Sequence, residues 1–162
     1  MVHKIKEALR LTRIEHSIML VIAVLAAEFL TGSHPRFWTI ILSLLPPIFI
    51  SASAFVINDY YDIKADKANG FLDRPLVSGT ISKLEAAVLY IACLVMGLLL
   101  ATLLGFIAFT IVAIFAALSF LYSYWLKKTL LIGNAYIALS MVIPFIYGGY
   151  IASDGINNNI AC

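Results

Sequence analysis

The segment INDYYDIKADKANGFLDRPLVSG, residues 57–79, places four aspartates, two lysines and an arginine together, directly after an apolar run. Charge is rare elsewhere, because 62% of the 162 residues are hydrophobic and only 12% are charged. This composition is typical of a membrane protein and excludes an ordinary soluble domain. The segment therefore marks a position at which a chain built for a bilayer needs charged groups.

Around this segment, five apolar runs are long enough to cross a bilayer, which requires about 20 mostly apolar residues. They cover residues 14–31, 37–57, 84–104, 106–126 and 130–152. We predict an all-α, polytopic membrane bundle of about five transmembrane helices that forms a single domain over residues 1–162. Prolines at 46, 47 and 144 predict bends in two of these helices. Gly97 and Gly105 predict close helix contacts.

The basic residues predict the orientation of these helices. Of the 11 Lys and Arg residues, all except Arg36 precede the first run or follow the second and the fourth. Short loops rich in Lys and Arg face the cytoplasm. We therefore expect a multi-pass protein of the cell membrane, with the N-terminus and the acidic segment on the cytoplasmic side and Asp154 on the opposite side.

The second run continues into the acidic segment without a helix breaker between Pro47 and Gly70. On a helix, Asn58, Asp62 and Asp66 recur every four residues, and Asp59 shares their face. Like charges on one face repel each other, and desolvation near a membrane increases the cost of each ionised carboxylate. A positive partner is therefore required.

Two partners are compatible with this pattern. Lys64, Lys67 and Arg74 are near enough in sequence to pair with the carboxylates, which would give a solvated loop without further function. Alternatively, a hard divalent cation binds the carboxylates, because Mg²⁺ prefers one or two protein carboxylates together with substrate phosphates. The spacing of the acids and the RPLVSG segment that follows favour the cation.

At these residues the chain resembles the UbiA superfamily of intramembrane prenyltransferases. NDYYDIKAD (58–66) is similar to the first aspartate-rich motif of that family, and NGFLDRPLVSG (69–79) to the segment that follows it. YSYWLKKTLLIGN (122–134) is similar to the second cytosolic loop of the family. RLTRIEHSIMLVIAVLAAE (10–28) resembles archaeal members, particularly the digeranylgeranylglyceryl phosphate synthases of ether-lipid synthesis.

The resemblance implies Mg²⁺-dependent transfer of an isoprenyl group, here geranylgeranyl, from its diphosphate to a membrane acceptor. The implied catalytic residues are Asn58, Asp59, Asp62 and Asp66, of which the three aspartates hold Mg²⁺. The implied diphosphate-binding residues are Lys67, Arg74, Tyr122, Lys127 and Lys128. The implied acceptor-binding residues are Arg13 and His16, with histidine at a position where many relatives carry asparagine.

The acceptor and the partners follow from the same resemblance. We expect a prenylated glycerol phosphate as acceptor, with a quinone or other aromatic compound, a chlorophyll or a haem as the alternative. We further expect contact with membrane lipids and none with nucleic acid, and the oligomeric state stays open. A non-catalytic membrane scaffold or half-transporter is the alternative from another functional class, should the 162 residues be complete.

One feature of the family is missing from this sequence. Members carry a second acidic motif, D-x-x-x-D, on a later cytosolic loop, whereas after Asp66 this chain has only Asp73 and Asp154. The family fold resembles a ring of nine spans, of which this chain supplies about five. We therefore expect the sequence to be the N-terminal part of a longer enzyme and to be inactive on its own.

Two further features have competing interpretations. Aromatic rings near the acidic segment either stabilise a carbocation or pack and anchor the helices; they are Phe55, Tyr60, Tyr61, Tyr122 and Tyr124. Glu28 lies in the first apolar run, where a carboxylate is a candidate functional group by default. If Glu28 instead lies at the membrane interface, its carboxylate is hydrated and needs no functional explanation.

Overall fold

A computed structural model describes residues 2–31 and 37–153, and its regular structure is entirely helical. The six α-helices are α1 (Val2–Thr12), α2 (Ile14–Leu30), α3 (Phe37–Ala68), α4 (Lys83–Thr102), α5 (Phe106–Tyr124) and α6 (Leu130–Ser153), with a short 3₁₀ turn, Leu126–Lys128, between α5 and α6. The predicted all-α architecture is confirmed. Arg36 and Asp154 lie outside the described residues.

The predicted spans correspond to α2 through α6. Four of them, α3 to α6, are long and apolar enough to cross a membrane. The fifth, α2, has 17 residues, which corresponds to about 26 Å at the helical rise per residue and lies at the lower limit for a spanning helix. The chain is an integral membrane protein in which α2 is the shortest of the five predicted spans.

Helix α3 is the central element of the bundle, since it contacts each of the other five helices. It continues through Pro46 and Pro47 to Ala68, so that the acidic motif lies on its last turns, as predicted. The main apolar core surrounds its first half and includes Val24 of α2, Ile50 of α3 and Tyr147 of α6. The bends expected at the prolines stay predictions.

Glycines allow the close approach of neighbouring helices at two places. A Cβ on Gly97 would lie 2.8 Å from the Ile50 side chain, so Gly97 is a point of close helix contact, as predicted, and the helix that it contacts is α3. A Cβ on Gly148 would lie 2.6 Å from the Val24 carbonyl oxygen, so α2 and α6 touch at the backbone. Gly105 has φ 99°, a left-handed conformation that permits the tight turn between α4 and α5.

The segment between α3 and α4 folds back over the end of α3. Gly70 follows the end of α3 and has φ 81°. Glycine adopts this conformation without strain, so the chain can turn away from the helix axis here. Leu76 and Ile81 are buried against α1, α3 and α4 in a second apolar cluster, with Leu11, Val56 and Ala86. Ser82 then begins α4 through a capping box with Glu85. These contacts hold Arg74 beside the acidic motif.

Candidate active site

The last turns of α3 present the acidic residues that the sequence predicts. Asp59 is 4% exposed and Asp66 is 5% exposed, whereas the Asp62 side chain is 24% exposed. Carboxylates this deeply buried require opposite charges or hydrogen-bond donors. Three basic side chains from other parts of the chain supply them. We call the three aspartates and these partners the charged cluster; its basic members are Arg13, Arg74 and Lys127.

Arg74 joins two of the aspartates. Its Nη1 donates to Asp66 Oδ2 at 2.5 Å and to Asp59 Oδ1 at 3.4 Å. Its guanidinium also lies 5.0 Å from the centre of the Phe71 ring. The segment that follows α3 thus folds back, so that Arg74 contacts the aspartates of α3.

Arg13, at the junction of α1 and α2, also contacts Asp59. Its Nη2 donates to Asp59 Oδ1 at 2.9 Å, and its guanidinium lies 5.1 Å from the centre of the Phe55 ring. The resemblance implies an acceptor-binding role for Arg13, and the structure places it in the charged cluster. Sequence reasoning missed this pairing because nothing local links residues 46 positions apart.

The turn after α5 provides the third basic group. Lys127 Nζ donates to Asp62 Oδ1 at 2.5 Å, and its side chain is 19% exposed. Lys128, the neighbouring residue, is exposed. The two lysines, which the sequence could not tell apart, therefore differ: Lys127 faces the acids. Lys67 is exposed on the last turn of α3, and within residues 2–31 and 37–153 it forms no ion pair.

Two of the three aspartates, Asp59 and Asp66, lie close enough together to be considered as a pair of cation ligands. Asp59 and Asp66 both accept from Arg74 Nη1, so these oxygens lie no farther apart than the sum of those two bond lengths. One or two carboxylates are the usual protein contribution to a Mg²⁺ site that also binds phosphates. Asp62 instead faces Lys127, and across the described part of the chain no three His, Cys, Asp or Glu side chains converge as a metal cluster. The Asp59–Asp66 pair therefore supplies the number of carboxylates that is usual for such a site, and all three aspartates stay predicted Mg²⁺ ligands.

A cavity of about 470 Å³ opens next to the charged cluster, lined by residues of α2, α3, α5 and α6. Three predicted site residues, His16, Asn58 and Tyr122, contribute to its wall. Much of the remaining lining is apolar, with Met19, Leu20, Phe115 and Met141 among it. Phe55 also lines the cavity and lies under the guanidinium of Arg13, the partner of Asp59, so the cavity and the acids meet at this point of α3.

Aromatic side chains form one wall of this cavity. Tyr136 stacks on Tyr122 at 4.4 Å between ring centres and on Phe115 at 6.3 Å, and its hydroxyl donates to Ser119 Oγ at 2.9 Å. Sequence reasoning missed Tyr136 because no motif surrounds it. A signal was present in α5, where Ser119, Tyr122 and Ser123 share one helix face. A polar face in an apolar helix indicates that a neighbouring helix supplies a polar partner such as Tyr136.

The predicted aromatic residues divide into two groups. Phe55 and Tyr122 line the cavity. Tyr61 instead packs against Phe120 and Tyr124, and Tyr60 packs against the second apolar cluster. For these tyrosines the packing interpretation agrees with the structure.

A protein-family model matches most of this chain. Residues 19–161 match the model of the UbiA prenyltransferase family. The chain belongs to the UbiA prenyltransferase family.

Curated UbiA relatives are similar over most of this chain. A digeranylgeranylglyceryl phosphate synthase from Archaeoglobus fulgidus is 36% identical over 154 residues, which are 93% of this chain and 52% of that protein. The synthase of the same name from Korarchaeum cryptofilum is 40% identical over 75% of this chain and 42% of its own length. The chain spans about half the length of the curated relatives it matches.

Solved UbiA structures have the same arrangement of helices. A structure from work on digeranylgeranylglyceryl phosphate synthase in membranes superposes with a TM-score of 0.88 at 30% identity, covering 94% of this chain and 55% of that one. A UbiA homologue from Archaeoglobus fulgidus bound to GPP and Mg²⁺ superposes with a TM-score of 0.80 at 27% identity, over 91% of this chain and 54% of that one. The helices described above therefore have the arrangement of about half of a UbiA structure.

Proposed function

We propose that the protein takes part in the Mg²⁺-dependent transfer of a geranylgeranyl group from its diphosphate to a prenylated glycerol phosphate in the membrane. The observation that carries this proposal is a row of buried acids with three basic partners at the edge of an apolar cavity. An anionic head and a long apolar tail are the two parts of an isoprenyl diphosphate. The similarity to synthases of this name supports the choice of acceptor.

The acids and bases have distinct roles in this proposal. Cleavage of the allylic C–O bond leaves a carbocation-like centre and places negative charge on the diphosphate. Mg²⁺ held by Asp59 and Asp66, with Asp62 beside them and Asn58 orienting the group, would supply positive charge to the leaving group. Arg74 and Lys127 bind phosphate oxygens and stabilise the same charge. Tyr122, Lys67 and Lys128 are the further contacts that we propose for the diphosphate.

The cavity has two roles in the proposal. Its apolar wall receives the isoprenyl chain and excludes water from the carbocation, which water would otherwise capture. The rings of Phe55 and Tyr122 face this space and stabilise the cation through their π electrons. His16 lies on the α2 side of the cavity, where we place the acceptor together with Arg13.

The acids face the cytoplasm in this proposal, and they form one part of the site for the diphosphate. The positive-inside rule supports a cytoplasmic position for the N-terminus and the charged cluster, so the water-soluble part of the donor enters from the cytoplasm. The sequence has no second D-x-x-x-D motif after Asp66, and a two-metal site therefore needs acids from further protein. We propose that donor and Mg²⁺ binding belongs to this chain and that complete transfer requires a second acidic loop.

The experiment measures Mg²⁺-dependent binding of geranylgeranyl diphosphate to the chain in lipid nanodiscs by titration calorimetry. We expect binding that needs Mg²⁺ and falls by about tenfold or more in Asp66→Asn, because a carboxylate that binds the cation is lost. Asp73→Asn is the matched control, since Asp73 lies in the same segment with its side chain 79% exposed and pairs with Arg10. Equal binding with and without Mg²⁺, or in Asp66→Asn and the wild type, would contradict the proposal.

The acceptor is tested separately. The membranes contain this chain as part of a longer protein that also carries a second acidic loop. Radiolabelled geranylgeranyl diphosphate is supplied with geranylgeranylglyceryl phosphate in one sample and with a quinone precursor in the other. Label should enter the glycerol phosphate product. Label in the aromatic product alone would reassign the acceptor and leave the donor site as proposed.

A further inference from the structure

Arg13 has an unusual backbone for a residue between two helices. Its φ of 47° and ψ of 55° place it in the left-handed region, and it is the one non-glycine residue with positive φ among residues 2–31 and 37–153. A conformation of this kind costs energy and persists where the surroundings impose it, often at functional sites. Because Arg13 belongs to neither α1 nor α2, its side chain extends from the junction of the two helices toward Asp59.

Asp59 has two basic partners on the same oxygen. Arg13 Nη2 lies 2.9 Å from Asp59 Oδ1 and Arg74 Nη1 lies 3.4 Å from it. A divalent cation on this carboxylate would be in contact with two guanidinium groups, and like charges at such distances repel strongly. One of the two partners must leave when a cation binds.

The geometry selects Arg13 as the partner that leaves. Arg74 is held among the acids by a second bond, to Asp66 Oδ2 at 2.5 Å, and can pass from there to the donor diphosphate. Asp59, in contrast, is the only carboxylate paired with Arg13 within the described ranges. A displaced Arg13 also retains a favourable contact, because its guanidinium already lies over the Phe55 ring at 5.1 Å.

The Phe55 ring keeps the displaced group at the cavity. Phe55 lines the cavity together with His16, and the two rings lie 5.0 Å apart in an edge-to-face arrangement. A guanidinium that is free of a carboxylate, lies over a ring of the cavity wall and carries a planar fork of donors is suited to bind a phosphate.

We propose that Arg13 changes partners during the reaction cycle. Its guanidinium pairs with Asp59 until the cation and the donor diphosphate occupy the acids, and it then binds the phosphate of the lipid acceptor. This inference rests on the proposed function and adds an order to it, in which the donor binds before the acceptor. The order arises because Asp59 offsets most of the single positive charge of Arg13, so that Arg13 attracts the acceptor phosphate more strongly once Asp59 binds the cation.

The test measures acceptor affinity in nanodiscs with the full chain. Geranylgeranylglyceryl phosphate is titrated alone and after addition of Mg²⁺ with an unreactive thiodiphosphate analogue of the donor. We expect the metal and the analogue to tighten acceptor binding by about tenfold, a typical coupling between two sites. Geranylgeranylglycerol, which lacks the phosphate, should show no such gain.

Two variants test Arg13 from opposite sides. Arg13→Gln should lose the gain in acceptor affinity, while Mg²⁺ with the donor analogue binds as tightly as in the wild type or more tightly, since a competing positive charge is gone. Asp59→Asn removes the negative charge that attracts Arg13 and should make the tighter acceptor binding independent of Mg²⁺. Arg10→Gln is the matched control, because Arg10 pairs with Glu7 and Asp73 away from the cavity.

Equal acceptor affinity with and without the metal and analogue in the wild type would overturn the exchange, and so would a gain that persists in Arg13→Gln. If the analogue binds with Mg²⁺ but the acceptor gains nothing, the exchange is wrong and the proposed donor site stands. If the analogue fails to bind the wild type at all, both proposals are wrong.

Discussion

Two buried polar regions of this protein differ in the partners that they provide for a carboxyl group. In the charged cluster each aspartate lies within 4 Å of at least one basic side chain. Glu28, which is 3% exposed, instead accepts a hydrogen bond from Ser43 Oγ at 2.6 Å, and the Ser43 carbonyl accepts from the Tyr147 hydroxyl at 3.0 Å. We call these three residues the Glu28 cluster.

The difference separates a site that can exchange partners from one that holds helices together. The charged cluster borders a cavity, and its ions can change partners when another ion arrives. The Glu28 cluster links α2, α3 and α6 inside the bundle, where Gly148 lets α6 touch the backbone of α2. Glu28 was a candidate functional residue in the sequence, with an interfacial position as the alternative; its burial and partners indicate a structural role.

The largest effect is expected from breaking the charged cluster. Arg74→Ala removes the basic partner of Asp66 and one of the two partners of Asp59, and it should lower the free energy of unfolding by roughly 3 kcal/mol, as expected when a buried ion pair loses one member. Thermal unfolding in detergent, followed by size-exclusion chromatography, measures the loss. The double variant Arg74→Ala/Asp66→Asn should recover part of it, because the second charge is then also gone. A double variant as unstable as the sum of its parts would argue against the pairing.

The helix contact beside the Glu28 cluster should be the next most sensitive feature. In Gly148→Ala the new methyl group meets the Val24 carbonyl oxygen at 2.6 Å, and overpacking against backbone should cost about 1–3 kcal/mol. Gly149→Ala is the matched control in the same helix, since nothing lies within 4 Å of a Cβ at that position. The same unfolding assay compares them, and equal stability of the two variants would contradict the close α2–α6 contact.

The two lysines after α5 should differ in their effect on donor binding. Lys127→Gln removes the ammonium that contacts Asp62, and we expect about tenfold weaker binding of geranylgeranyl diphosphate, the value of one charge-assisted contact. Lys128→Gln should change the affinity by about twofold or less, because an exposed charge is screened by solvent. Calorimetry with Mg²⁺ present measures both. The reverse order of effects would mean that Lys128 is the residue that faces the diphosphate.

The smallest effects are expected from conservative changes in the Glu28 cluster. Ser43 Oγ lies 2.6 Å from Glu28 and 2.7 Å from the Ile40 carbonyl oxygen, yet a hydroxyl donates only one proton. Because the Gln side chain keeps an oxygen that accepts from Ser43, Glu28→Gln should change the free energy of unfolding by about 0.5 kcal/mol or less. Tyr147→Phe should cost about 1 kcal/mol for the lost hydrogen bond. A larger loss in Glu28→Gln than in Arg74→Ala would invert the comparison of the two regions.

The sequence alone was sufficient for the helices and for the acidic motif. Long apolar runs predict helices in a bilayer because an α-helix satisfies its backbone hydrogen bonds within one segment, and the absence of a breaker before Gly70 predicted that α3 continues through Asp66. The spacing of the acids placed them on one helix, and the requirement for positive partners followed from their repulsion.

Only the tertiary structure decided which positive groups those partners are. Of Lys64, Lys67 and Arg74, the three basic residues nearest in sequence, only Arg74 reaches the acids. The other two partners, Arg13 and Lys127, come from positions 46 and 65 residues away from their aspartates. Local spacing determines which residues share a helix face, whereas contacts between helices depend on how the whole bundle packs. For that reason the acids could be read from one segment, and the choice between Lys127 and Lys128 could not.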